Sequence, residues 1–190
     1  MSVTARLDGA TYERLVATDP SFERTELFDG IPVEKPLMSW FHGDLGGELG
    51  IVIGSSLDRR RFRVRSNHAR LALPEGNYYI PDLAIVPNDP PDSLADLDLY
   101  RKPVPLVVEI RSPSTGGYDA ATKLPGYRLR GDAEIWWIDL PDRSLTRWVR
   151  RPHGGYDVEI LRGGVVELAA LADVRVDLDA LFLGVPEPDR

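Results

Sequence analysis

The sequence predicts an α/β domain built on a mixed β-sheet flanked by helices, with an antiparallel, β-rich C-terminal part. Three observations carry that prediction. Residues 78–86, 106–110 and 134–140 are apolar runs of strand length, and the middle one shows no alternation, as expected of a strand covered on both faces. Residues 119–130, between the last two runs, read as a helix, and strand–helix–strand is the crossover that joins parallel neighbours. Beyond residue 141, short β-patterned runs alternate with Pro-Asp and Gly-Gly turns, the pattern of antiparallel hairpins.

The chain has 190 residues, which fits a single domain over 1–190 with a sizeable core. Its 43% hydrophobic and 28% charged residues belong to a folded, soluble protein rather than a disordered one. The absence of cysteine excludes disulfides, thiolate metal sites and a cysteine nucleophile. The opening MSVTARLDGA lacks the apolar core of a signal peptide, and no run approaches the ~18 apolar residues of a membrane span, so a cytoplasmic location is expected. A net charge of −7 argues against a dedicated nonspecific DNA binder. The charge is uneven, however. Arg59, Arg60, Arg61, Arg63 and Arg65 form one basic cluster and Arg147, Arg150 and Arg151 another, although solvated strand edges also favour such residues.

Taken in order, residues 11–17 form a short helix that ends before the Asp19-Pro20 turn. Asp29-Gly30, between the runs 22–28 and 31–35, is a strong hairpin signal. Residues 39–57 make the best helix, with Leu45, Leu49, Val52 and Ile53 at helical spacing and Ser39 as N-cap. Gly43, Gly46, Gly47, Gly50 and Gly54 each cost that helix about 0.8–1 kcal/mol relative to Ala, and close packing against the sheet is the expected return. Their spacing matches neither the P-loop nor the dinucleotide fingerprint. Strands at 62–65 and 69–73 are expected around Ser66-Asn67, then one strand over 78–86, then a surface excursion to Tyr100. Pro125 is tolerated only in a first turn, so the regular part of the next helix should begin near Thr122 or Lys123. An antiparallel meander follows, closed by a small helix around 178–183.

Each central run carries one acid: Asp82, Glu109 and Asp139. Burying a carboxylate among Val, Ile and Leu costs several kcal/mol unless a cation or donor offsets it. Pro81 is confined to a strand start or edge, which puts Asp82 at the beginning of its strand, while Glu109 stands near the end of its own. If these strands are antiparallel neighbours, the two carboxylates converge, and such an oxygen-rich pair suits Mg²⁺ or Mn²⁺. Lys123 follows the next turn and, beside a metal, would orient water or offset charge on a phosphoryl oxygen. Asp119, Lys123 and Tyr127 at four-residue steps share one helical face. Plainer readings stand beside these: Asp82 as a turn aspartate, Glu109 paired with Lys123 or Arg111, and Lys123 as a surface lysine. His42, His68 and His153 are too dispersed for a zinc site, and Ser112 and Ser114 have no nearby histidine. Asp139 reads as a strand cap before Pro141, and of Trp136 and Trp137 one should enter the core.

Pro81-Asp82, Val107-Val108-Glu109, Ser112-Pro113-Ser114, then Asp119, Lys123 and Tyr127, then EIWWID over 134–139, together resemble the PD-(D/E)XK nuclease superfamily. The order and spacing are most similar to its putative restriction endonuclease family, in which the lysine has moved onto the following helix. Glu26-Leu27 and Asp29-Gly30 through Glu34 look like that family's opening hairpin, and His42 matches a histidine at the start of its long helix. The resemblance covers roughly residues 10 to 185. It implies a restriction-endonuclease-like fold and metal-dependent hydrolysis of phosphodiester bonds in DNA. On the same basis Asp82 and Glu109 would hold Mg²⁺ or Mn²⁺, with the backbone carbonyl of Ile110 and the carboxylate of Glu34 completing the shell and Lys123 positioning water. DNA is the implied partner, a homodimer the implied assembly, and no membrane is involved. One departure is Arg111, which stands where the superfamily has lysine; a guanidinium stays protonated and cannot act as a base. Two other classes stay open, an interaction module whose acids and Lys123 form only salt bridges, and a metal-dependent hydrolase of small phosphate esters. If Asp82 is a metal ligand, Asp82→Ala is expected to abolish cleavage and to leave the melting temperature in EDTA nearly unchanged.

Overall fold

The computed structural model describes residues 6–90, 96–111 and 118–186, with the side chains of 118–121 outside that description. The described strands are β1 (Thr25–Phe28), β2 (Ile31–Glu34), β3 (Phe62–Ser66), β4 (Arg70–Ala72), β5 (Tyr78–Tyr79), β6 (Leu83–Pro87), β7 (Leu99–Tyr100), β8 (Leu106–Arg111), β9 (Glu134–Asp139), β10 (Ser144–Arg150), β11 (Tyr156–Leu161), β12 (Val165–Leu168) and β13 (Leu171–Asp177). The helices are α1 (Gly9–Thr18), α2 (Trp40–Ser56), α3 (Tyr118–Arg130) and α4 (Leu178–Leu181). They assemble into a six-stranded sheet in the order β11-β10-β9-β8-β6-β3, a five-stranded sheet β2-β1-β5-β4-β7 and a β12-β13 pair.

The six-stranded sheet is mixed, as the apolar runs require. β6 and β8 are antiparallel, and β8 and β9 are parallel neighbours joined through α3. Strand alternation sends Leu83, Ile85, Leu106, Val108, Ile110, Trp136 and Ile138 to one face, where Leu45, Leu49 and Ile53 of α2 cover them. Ala84, Val86, Val107 and Ile135 go to the opposite face, against Tyr127 of α3 and Leu71 and Tyr79 of the five-stranded sheet. Both tryptophans of β9 are buried, Trp136 beneath α2 and Trp137 on the far face.

α2 begins at the expected Ser39 cap, whose Oγ accepts from the His42 N–H at 3.4 Å. Gly46, Gly50 and Gly54 do face the sheet: a Cβ at Gly46 would sit 3.4 Å from Ile110 Cδ1. Gly43 and Gly47 do not, since a Cβ on either would have nothing within 4 Å. The Asp29-Gly30 hairpin forms with positive φ at both residues, 48° and 74°, the twist that suits flanking strands.

Three expectations are corrected. The run 78–86 is two strands, because the chain leaves the five-stranded sheet after Tyr79 and enters the six-stranded one at Leu83, with Pro81, which has no N–H to give a ladder, in the passage between. The two strands expected around Ser66-Asn67 both form; β3 pairs with β6, and β4 with β5 and β7. Pro125 lies inside α3, which already begins at Tyr118. Burial of Lys123, Gly126 and Tyr127 holds the helix through the proline, and Gly126 is required there, since a Cβ would come 2.3 Å from Leu73 Cδ2. The C-terminal strands do not form one meander, because β12 and β13 separate from β10 and β11 and pack on α2 through Val166, Val174 and Val176. The expected turn over 112–117 lies outside the described residues.

Candidate active site

The break at Pro81 is what creates the site. Asp82 comes one residue before Leu83, which faces Val108 in the antiparallel register, so continuing the ladder sets Asp82 opposite Glu109. Alternation turns both acids to the face of Ala84 and Val107, beneath α3. The antiparallel pairing that such a convergence requires is therefore present.

Both Asp82 oxygens are held. Oδ2 accepts from the Ile110 N–H at 2.7 Å, and Oδ1 accepts from Lys35 Nζ at 2.7 Å. His42 Nε2 stands 3.2 Å from Oδ1 but is not aligned for a hydrogen bond. Lys35 Nζ also donates to Asn67 Oδ1 at 2.8 Å and the Ile80 carbonyl at 2.9 Å. Burial acts to raise the Asp82 pKa, but the Lys35 ammonium and the His42 ring outweigh it and hold the carboxyl below the usual range.

Glu109 Oε1 accepts from the Tyr127 hydroxyl at 2.6 Å and lies 3.3 Å from Lys123 Nζ. The same ammonium is 2.9 Å from Glu26 Oε1, which in turn accepts from the Ile80 N–H at 2.7 Å. Burial, followed by the Glu109 and Glu26 charges, pushes the Tyr127 hydroxyl well above its ordinary pKa, so it stays a donor. Glu26, Lys35, His42, Asp82, Glu109 and Lys123 are each between 1% and 8% exposed. Three carboxylates thus face two ammonium groups and the His42 ring in a nearly closed cluster.

The structure brings Asp82, Glu109, Lys123, Tyr127, His42 and Ile110 together. Asp119 lies in the first turn of α3 with its side chain outside the described set. Glu34 does not join: it is exposed, across from Thr25 at the end of β2. Alternation turns its neighbour Lys35 inward instead, and the third acid of the cluster is Glu26 on β1. Sequence reasoning gave Glu26 and Lys35 no role. A glutamate between Thr25 and Leu27 on one arm of a hairpin, and a lysine ending the other arm, were the signals available. Arg111 pairs with Asp139, whose Oδ1 also accepts from the Asp142 N–H at 3.1 Å, so Asp139 serves the strand end.

A buried Asp just before one strand and a buried Glu on its partner, with a lysine against the Glu, is similar to what the resemblance to PD-(D/E)XK nucleases implies. The model of the Uma2 family, described as "Putative restriction endonuclease", matches residues 10–179, and the chain belongs to that family. A crystal structure of a putative nuclease belonging to DUF820 from Anabaena variabilis ATCC 29413 has the same fold, with a TM-score of 0.74 and 18% identity over 95% of this chain and 99% of that one. No curated protein matches the sequence. Among the described residues no helix is long and apolar enough to cross a membrane.

Proposed function

We propose that the chain is a metal-dependent phosphodiesterase acting on DNA, with Asp82 and Glu109 as its metal-holding carboxylates. The observation that carries this reading is that Asp82, just before β6, and Glu109, on its antiparallel partner β8, are both buried at one end of that strand pair, with Lys123 against Glu109. Mg²⁺ asks for one or two carboxylates and completes its shell with water and substrate phosphates. The Asp82–Glu109 pair fits that demand, although the described residues contain no group of three or more His, Asp or Glu arranged to hold a metal unaided. The Ile110 carbonyl, next in the chain to Glu109, would add an oxygen, and the exposed Glu34 is left outside the set.

A divalent cation bound there supplies Lewis-acid polarisation of a phosphoryl oxygen and a water of lowered pKa. The remaining work falls to the chain. Lys123, fixed between Glu26 and Glu109, steers the attacking water and offsets charge developing on the phosphoryl oxygen. Tyr127 holds Glu109 by donating to it, while the Ile110 N–H fixes Asp82 Oδ2. Plasmid cleavage in Mg²⁺ tests the proposal: the unaltered protein should nick or linearise DNA, and Asp82→Asn and Glu109→Gln should not. Retained cleavage in both variants would remove the two acids from the chemistry. A homodimer, each copy cutting one strand, extends the reading, and sedimentation velocity measures it.

The closed ion-pair network favours one second reading, an interaction module in which the same groups serve only structure. Calorimetry with millimolar Mn²⁺ separates the two, because the module gives no heat of binding.

A further inference from the structure

We infer that the arginine turn before β3, together with that edge strand, forms a track for the phosphodiester backbone of duplex DNA leading to the Asp82 cluster. The identity of the polymer rests on the nuclease reading; the track itself rests on four observations.

First, β3 is the outer strand of the six-stranded sheet, with one long edge unpaired. Phe62 and Val64 turn towards α2, so Arg63 and Arg65, opposite Val86 and Ala84, lie on the face that also carries Asp82. Second, the strand runs into the cluster. Asn67 accepts from Lys35 at 2.8 Å and its N–H donates to the Asp82 carbonyl at 3.0 Å. At about 3.3 Å per residue, Arg63 stands roughly 13 Å from Asn67.

Third, Arg59, Arg60, Arg61 and Arg63 make no ion pair among the described residues, whereas Arg151, Arg162 and Arg175 each hold a carboxylate. The nearest acid in sequence, Asp58, uses Oδ1 to accept from the Arg60 N–H at 3.0 Å. Four uncompensated guanidiniums on a chain of net charge −7 concentrate positive potential at one place. Protection of the sheet edge is met by Arg63 and Arg65 on the strand itself; Arg61 lies over the Phe62 ring, and no described residue pairs with the Arg59 or Arg60 guanidinium. Fourth, a cleft of about 440 Å³ opens on the α2 side of this edge, lined by Gly50, Gly54, Arg59 and strand residues 62–65, while the Arg63 guanidinium donates to the Arg59 and Phe62 carbonyls. The two glycines put no side chain into it. Guanidinium forks in such a cleft suit phosphate oxygens, and contacts of this kind position a duplex without reading its sequence.

The test is the salt dependence of duplex DNA binding by the full chain, followed by fluorescence anisotropy in EDTA between 50 and 200 mM salt. Each phosphate contact contributes about 0.9 to the slope of log affinity against log salt. Arg59→Gln/Arg60→Gln/Arg63→Gln should lower the slope by about 2 to 3 and weaken binding at least roughly tenfold at the upper salt limit, with an unaltered melting temperature. The same three positions changed to Lys should keep most of the slope. Arg151→Gln/Arg162→Gln/Arg175→Gln, with equal loss of charge elsewhere, should keep all of it. An unchanged slope in the first variant, an equal fall in the matched control, or no DNA binding by the unaltered protein would each overturn the inference. Plasmid cleavage reports separately: absent cleavage with the slope change intact would sink hydrolysis and leave the track standing.

Discussion

Replacing Asp82 by alanine should cost far more than activity. The substitution strips the Lys35 ammonium of its carboxylate and the Ile110 N–H of its acceptor, in surroundings where Lys35 is buried. Breaking a buried pair from one side costs about 3–5 kcal/mol, mostly for the charge left behind. A chain of this size loses about 2–4 °C of melting temperature per kcal/mol, so the expected fall is roughly 6–20 °C. Thermal unfolding followed by circular dichroism at pH 7 in EDTA reads it directly. Lys35→Met added to Asp82→Ala should recover much of the loss, since removing both partners of a buried pair is close to neutral. This revises the expectation drawn from sequence, in which Asp82 could be removed in EDTA at little cost. A single variant melting within about 2 °C of the unaltered protein, or a double variant no better than the single, would refute the ion-pair reasoning.

The pH dependence of stability separates two buried acids. Asp82, held below its usual range, binds its proton less tightly folded than unfolded; the stability it contributes is complete above pH about 4–5 and fades as pH falls through the lower folded value. The melting-temperature gap between the unaltered protein and Asp82→Ala should therefore close in acid, and a gap independent of pH would contradict this. Asp132 behaves oppositely: burial, only partly offset by Arg130, pushes its pKa up to about 6, so stability should drain away as pH rises from about 4 to 6. Asp132→Asn should flatten that limb, and an unchanged limb would exclude Asp132 as its source. The helix glycines give a matched pair. Gly126→Ala forces a Cβ against Leu73 and Tyr79 and should destabilise by about 1–3 kcal/mol in urea unfolding. Gly47→Ala enters open space on α2 and should stabilise by about 0.5–1 kcal/mol; a loss at Gly47 would mean that something covers that face.

What the sequence made legible was set by local chemistry. The Asp29-Gly30 turn, the Ser39 cap and the unbroken apolar character of residues 106–110 each have a short-range cause, and each came out as expected. The convergence of Asp82 on Glu109 was legible because proline restricts where Asp82 can sit and because a strand pair has only two directions. Pairing choices were not legible. The two strands expected around Ser66-Asn67 form, but their partners lie elsewhere in the chain, β3 beside β6 and β4 beside β5 and β7, which strand patterning alone does not specify. The same limit hid Glu26 and Lys35: alternation says that Glu34 and Lys35 point opposite ways, and only the docking of the hairpin on β5 says which one is inside. Glu34, implied only by the family resemblance, is the residue left outside, and Lys35 turns inward. Gly43 and Gly47 were read as packed because glycine signals close approach without saying to what.

The most direct measurement is anomalous scattering from a crystal soaked in millimolar Mn²⁺. A dication held by this chain should give a peak between the carboxylates of Asp82 and Glu109, with the Lys35 ammonium drawn away from Asp82. Density showing Lys35 still seated on Asp82, and no peak beside either acid at that concentration, would contradict the account and leave the cluster a structural ion-pair network.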